Sequence, residues 1–397
     1  MEPYLLDWAN LLLRWAHVIV AIAWIGSSFY FVFLDLSLEP PTDPALQAKG
    51  VDGELWAVHG GGFYNPQKYL VAPPRIPDKL HWFYWESYST WLTGFALFTL
   101  LYLLQASSFL IDKNVHVWST AGAIGTALGF LVVFWLVYDV VCHVFGQRPG
   151  GDRIVGVLVV AAVAFASWLA CQWFAGRAAF LIVGAMMATA MSANVAHWII
   201  PGQRKVIAQM RAGEPVNPLY GRRAKQRSVH NTYFTLPVLV AMLSNHYGFL
   251  FGARHNWLVL LLLMAAGALI RHFFVARHTA LRLGQRPPWG YALLGCALIG
   301  GTVAWLAPAP QAAAAAGTVS FAQVQQVVSQ RCVPCHNAQL ANKNIQLHTP
   351  TLVAQHAQQI YQQAVLQKTM PLNNATQISD AERALLARWF EAGASPQ

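Results

Sequence analysis

Runs of about twenty apolar residues recur along the chain, each long enough to cross roughly 30 Å of hydrocarbon as a helix. They fall near residues 11–34, 82–105, 119–142, 154–174, 178–200, 232–250, 256–275 and 289–307. The expectation is an all-α chain whose residues 1–307 form an eight-span transmembrane helical bundle. Composition agrees, because 56% of the residues are apolar and only 11% charged, the balance of a membrane protein. Tyr4, Trp8, Trp82, Trp85, Trp118, Trp173, Trp198, Trp257 and Trp289 stand near the ends of the runs, where amphipathic rings meet the bilayer surface. Membrane lipid is thus an expected partner. Nucleic acid is not, since the basic residues lie between apolar runs and form no basic domain of their own.

The opening residues, MEPYLLDWANLLLR, carry Glu2 and Asp7 and lack the basic start and small-residue cleavage site of a signal peptide. The first span is therefore expected to be retained, and eight spans place both termini on one side. Lysine and arginine choose the side. The loop expected between spans five and six holds Arg204, Lys205, Arg211, Arg222, Arg223, Lys225 and Arg227, and the next one on that side adds Arg277, Arg282 and Arg286. The opposite short loops hold Lys113, Arg177 and Arg254. Both termini are expected outside the cytoplasm, in the periplasm if the membrane is the inner membrane of a bacterium.

After the last span, APAPQAAAAAG reads as a low-complexity tether covering residues 308–317. Residues 318–397 turn polar. So small a unit, about 80 residues, needs an internal staple. Cys332-Val-Pro-Cys335-His336 supplies one: it is the C-x-x-C-H pattern of covalent c-type haem attachment, two thiols for two vinyl groups and a histidine for the iron. A redox dithiol or half a zinc site is the rival, and His348 or His356 could complete the latter. A sixth iron ligand is expected at Met370 in KTMPLNN, where a thioether would raise the potential. Ser379 and Glu382 form a capping box ahead of Leu385, Leu386, Trp389 and Phe390, so a terminal helix closes what reads as a small class I cytochrome c domain. Haem is attached to such motifs on the outer side of the membrane, in agreement with the lysine and arginine count. Cys142, Cys171 and Cys296 read as buried apolar residues.

Ionisable residues inside spans are costly and so are candidates for function. In the first span Arg14, His17, Ala21, Trp24 and Ser28 share a face, with His17 near the outer end as a haem b ligand and Arg14 as a propionate partner, the alternative for His17 being a hydrogen bond to a neighbouring helix. His246 is a second outer ligand candidate. His81, Glu86, Asp139, His143, His197, His230, Arg271 and His272 all fall toward the inner ends of their spans. They suggest a shared inner site, a haem b pocket, a substrate pocket or both. In the loop after the first span, VHGGGFYNPQKY contains an HGGG run also found in lipase oxyanion loops, but the chain has no G-x-S-x-G elbow. A turn that approaches a ligand, or a tight connector, remains.

LLRWAHVIVAIAWIGSSFYF, WAVHGGGFYNPQKY and LHWFYWESYSTWLTG, followed by the c-type haem motif, together resemble the bacterial membrane-bound urate oxidases with a fused cytochrome c. The first span separately resembles that of bacterial membrane protoporphyrinogen oxidases, whose histidine at the position of His17 binds haem b. The first resemblance implies oxidation of urate to 5-hydroxyisourate with water, the electrons leaving through the cytochrome toward a cytochrome oxidase or soluble cytochrome. With urate as substrate, the inner cluster is the expected place for it to bind from the cytoplasmic side, with His81, Glu86, Arg271 or His272 orienting it and taking its protons. Rival readings are a quinol or protoporphyrinogen dehydrogenase and a membrane-anchored electron shuttle with no substrate of its own.

Overall fold

The computed structural model describes residues 2–69, 73–307, 319–341 and 344–396. The expected tether at 308–317 therefore lies outside the described residues. The chain is mostly helical. Helix α1 spans Glu2–Ser37, α2 Trp85–Phe98 with a π turn through Leu103, α3 Thr120–Phe145 and α4 Gly151–Trp173. Helix α5, Gly176–Ala193, runs through a π segment at Asn194–Ile199 into α6, Ile200–Arg211. Then come α7 Pro218–Leu243, α8 Asn256–Arg282 and α9 Trp289–Trp305. Local sequence sets the starts: the Ser119 hydroxyl accepts the Gly122 N–H, and Asn217 caps α7 by accepting from Leu219 with Pro218 next in line.

Five helical stretches among the described residues are long and apolar enough to cross a membrane: Tyr4–Ser37, Thr120–Phe145, Gly151–Trp173, Gly176–Arg211 and Asn256–Arg282. The other three expected spans also fall on helix, but in shorter or more charged forms. The α2 helix has 14 residues before its π turn, α9 has 17, and α7 opens on Arg222, Arg223, Lys225 and Arg227 before its apolar half.

Helix α5 is the axis of the bundle. Ala178, Ala179, Ile182, Val183, Met186 and Ala190 are all fully buried on it. Lipid is as apolar as a leucine side chain, so close packing rather than water exclusion holds such helices together, and small residues permit it. A Cβ added at Gly184 would stand 3.1 Å from Ala241 on α7, which shows how closely the two helices approach. Large apolar side chains such as Trp15, Val157 and Val160 are exposed on the outside, as a lipid-facing surface requires.

Residues 51–69 depart from the all-α expectation. β1 Val51–Glu54 pairs antiparallel with β4 Gln67–Tyr69, and β2 Ala57–His59 with β3 Gly62–Tyr64. The HGGG run is the turn of the inner hairpin: Gly60 and Gly61 have φ of +59° and +80°, where a side chain would be strained. The run is a tight turn, as both sequence readings required.

The C-terminal unit has an apolar core of its own in Phe321, Val324, Val328, Leu347, Ile360, Leu386 and Trp389. Its helices α10 Phe321–Arg331, α11 Pro350–Gln355 and α12 Asp380–Glu391 surround the C-x-x-C-H turn. The expected capping box is present, with Ser379 N–H donating to Glu382 at 2.6 Å and Glu382 N–H returning to the Ser379 hydroxyl at 3.2 Å. This unit meets the bundle. Asn373 donates to the main-chain oxygens of Ser108 and Ile111, and the Gln367 oxygen lies so near Gly248 that a Cβ there would stand 2.1 Å away.

Candidate functional site

One cavity of about 2920 Å³ runs between α1, α2, α5 and α7 and continues to the C-terminal unit. Its wall holds His81, Lys225 and Tyr233 toward one end, His17 and His246 further along, and Cys332, Cys335, His336 and Met370 at the other.

At the first of these ends the Asp35 carboxylate accepts from Lys68 of β4 and from Lys225 of α7, the latter at 2.5 Å. Next to this knot stand His81, Trp82 and Phe83, with the His81 ring 4.5 Å from that of Phe83 in an edge contact. The adjoining wall is neutral and polar, built from Ser28, Thr90, Thr189, Ser228, Asn231 and Thr232, with Tyr233 beside them. A flat heterocycle with several ring N–H and C=O groups would find partners for its edges here and aromatic faces for its plane.

His17 is held in one tautomer. The Thr93 hydroxyl donates to the Ser89 carbonyl at 2.7 Å, so its lone pair accepts from His17 Nδ1 at 3.0 Å and leaves Nε2 unprotonated. Gly94 gives the imidazole its room, since a Cβ there would lie 2.9 Å from Cε1. Arg14 and His246 line the same part of the cavity, with Tyr102 donating to the Asn245 side chain at 2.7 Å and Arg177 to the Asn245 carbonyl at 2.8 Å. This donor set fits a haem, one histidine nitrogen presented and an arginine near for a carboxylate.

The C-terminal donor set fits one as well. His336 Nδ1 bonds the Ile345 carbonyl at 3.1 Å; a carbonyl only accepts, so Nδ1 carries the proton and Nε2 is the nitrogen open to a metal. Cys332 and Cys335 form no disulfide, and burial pushes the Cys332 thiol up to about 11. Met370 lines the cavity with His336, and its loop is fastened by Arg383, which donates to the Met370 carbonyl at 2.9 Å and to that of Ala364. Ile345, Leu347, Ile360 and Ala364 complete an apolar cradle.

The remaining expected residues divide into two groups away from the cavity wall. In one, Tyr138 links His230 at 2.8 Å to Asn194 at 2.9 Å, Asn194 reaches Asn231, and Arg227 pairs with Asp139 at 2.8 Å. His143 and His197 flank this group against Trp198 and Trp135. In the other, His272 bonds the Tyr233 hydroxyl at 2.7 Å, and Arg271 lies 3.8 Å over the Phe29 ring, buried, with Nε and Nη2 lacking a partner. Glu86 stands in the first turn of α2 with Oε2 buried and unpartnered. Of the four residues expected to surround a substrate, His81 is on the wall, His272 reaches it through Tyr233, and Glu86 and Arg271 lie behind it.

One expectation needs correction. Arg227 is not a loop charge but a buried helical residue, 3% exposed, and Lys225 is tied to Asp35, because α6 and α7 extend the helices so far that residues 212–217 alone form the loop. Tyr233, Thr93 and Arg383 were not singled out by sequence. Only Arg383 left a signal, since it stands three and seven residues before Leu386 and Phe390, on the stripe that faces the core.

A family model described as urate oxidase N-terminal matches residues 3–307. Nothing among curated proteins or solved structures matches the chain.

Proposed function

The chain belongs to the urate oxidase N-terminal family, and from that premise we propose that it oxidises urate to 5-hydroxyisourate with water at the inner end of the long cavity. Urate is a planar anion made in the cytoplasm. Lys225 would attract it, Trp82 and Phe83 would cover its faces, and Ser228, Asn231 and Thr232 would satisfy its edges. His81 offers an imidazole on that wall, a side chain able to give or take a proton. His272 and Arg271 act from behind the wall, and Glu86 from the first turn of α2.

The eight apolar runs, five of them on helices already long enough to span, would together form the membrane bundle, with both termini periplasmic. The C-terminal unit would be a class I cytochrome c, with Cys332 and Cys335 holding the group, His336 and Met370 its axial ligands. His17, with Arg14 and His246, would hold a haem b, and His143, His197 and His230 remain candidates for a further one. Haem in these places supplies one-electron acceptance, and a cytochrome oxidase or soluble cytochrome would take the electrons onward.

The observation that carries the reading is the continuity of one cavity from His81 to Cys332. It would give the proposed sites of oxidation and of electron exit a common space. The test is anaerobic: purified protein with urate and an artificial one-electron acceptor should consume urate and reduce the acceptor without quinone. A pyridine haemochrome spectrum should report both c-type and b-type haem. No urate consumption, or reduction only by quinol, would sink the proposal.

A further inference from the structure

We propose that Tyr233 is a catalytic residue of this site, its hydroxyl taking a proton from a ring nitrogen of the bound purine as its own proton passes to Nδ1 of His272. This deepens the reading of the cavity as the urate site and rests on it.

Three observations converge. Tyr233 lies on the cavity wall beside Ser228, Asn231 and Thr232, where the edge of a heterocycle would lie. Its hydroxyl is 2.7 Å from His272 Nδ1, short enough for a proton to pass, and the His272 ring also makes an edge contact with the Tyr291 ring at 4.3 Å. Arg271, one residue along, is 6% exposed and has two donor atoms with no partner. A buried guanidinium without a counter-ion is costly to keep. Its positive field favours negative charge on a deprotonated purine, which gives this buried charge a use.

A histidine set behind Tyr233, off the wall yet hydrogen-bonded to the group that is on the wall, is placed to accept what the wall group receives.

The step balances. The substrate N–H and the phenol O–H bonds break, a new phenol O–H and an imidazole N–H form, and His272 becomes imidazolium while Tyr233 ends as it began. No electron passes through the pair. The two electrons of the oxidation leave separately to a one-electron acceptor. Tyr233 touches the substrate, whereas His272 acts through it and is a positioning residue in that sense.

The test uses full-length protein in detergent, with anaerobic urate turnover and, separately, urate binding by equilibrium dialysis. Wild type that neither binds nor oxidises urate would overturn the function proposed above before any variant is made. Given an active wild type, Tyr233→Phe should lower kcat by about 10²–10⁴-fold while urate affinity changes by less than about threefold. His272→Ala should lower kcat similarly, and added imidazole should restore part of it, which a purely structural role would not allow. Wild-type kcat in Tyr233→Phe, loss of urate binding in that variant, or no imidazole rescue of His272→Ala each overturns the relay. Should a variant fail to assemble, the solvent deuterium isotope effect on wild-type kcat decides, and a value near unity overturns the relay.

Discussion

The Asn373 side-chain amide donates to the main-chain oxygen of Ser108 at 2.7 Å and so joins the Met370 loop to the rim of the helical bundle. Nearby, Gly248 leaves open the space that the Gln367 oxygen takes, and the two contacts define a seat for the C-terminal unit. Asn373→Ala should raise amide hydrogen exchange around residues 105–112 by removing the hydrogen bonds to Ser108 and Ile111, a net effect of about 1 kcal/mol for each. Gly248→Ala should raise it further, because its methyl group cannot coexist with the oxygen. Exchange unchanged in both variants would mean that the unit is not seated there in solution.

Arg383 fastens the Met370 loop by reaching two carbonyls from a buried position. In Arg383→Leu both carbonyls lose their charged donor, at about 1–3 kcal/mol for each left unsatisfied. The expected outcome is a less stable C-terminal unit in which Met370 would no longer reach the iron of the proposed haem. Loss of the near-infrared thioether-to-iron absorption and a lower reduction potential would report this. A normal band with a lowered melting temperature would confine Arg383 to stability.

Asp139 answers the charge of Arg227, whose side chain is 3% exposed. Asp139→Asn leaves that guanidinium without its counter-ion at a cost on the order of 3 kcal/mol, while Asp139→Asn with Arg227→Met should recover much of it. Thermal unfolding in detergent distinguishes the two, and a single variant as stable as wild type would count against the pair.

Acid should loosen the C-terminal unit through Glu382. Partial burial pushes its carboxyl up, but the Ser379 N–H and the Arg331 guanidinium, the latter 3.0 Å away, bond the ionised form and hold it below its ordinary value of 4.5. A carboxyl depressed on folding contributes stability that is complete above the unfolded value and is lost as pH falls through the folded one. Exchange protection of α12 amides should thus be flat above about pH 5 and fall below about pH 4, and Glu382→Gln should flatten the dependence.

Sequence carried the elements that depend on local rules. The apolar runs found their helices, Ser379 and Glu382 capped α12 reciprocally, and the spacing of Cys332, Cys335 and His336 placed them at one end of the cavity with Met370. What it could not carry were pairings between distant helices. Position in a span told that His272 and His230 lie at a similar depth, but not that one faces Tyr233 and the other Tyr138, because rotation of each helix about its axis is set by partners 39 and 92 residues away. Arg227 misled for a related reason: a charge near a span reads as loop, whereas helices that outrun the bilayer bring it into the packed interior. The two hairpins were hidden in a segment too short and too rich in glycine for alternation to show.

The long cavity has walls from both parts of the chain, so the C-terminal unit is also its stopper. Lifting Asn373 and Gln367 from their seat would widen the opening of a space that reaches to the Asp35 knot, where two lysines meet one carboxylate. Movement of the C-terminal unit and the shape of the cavity are therefore mechanically linked, and neither can change without the other.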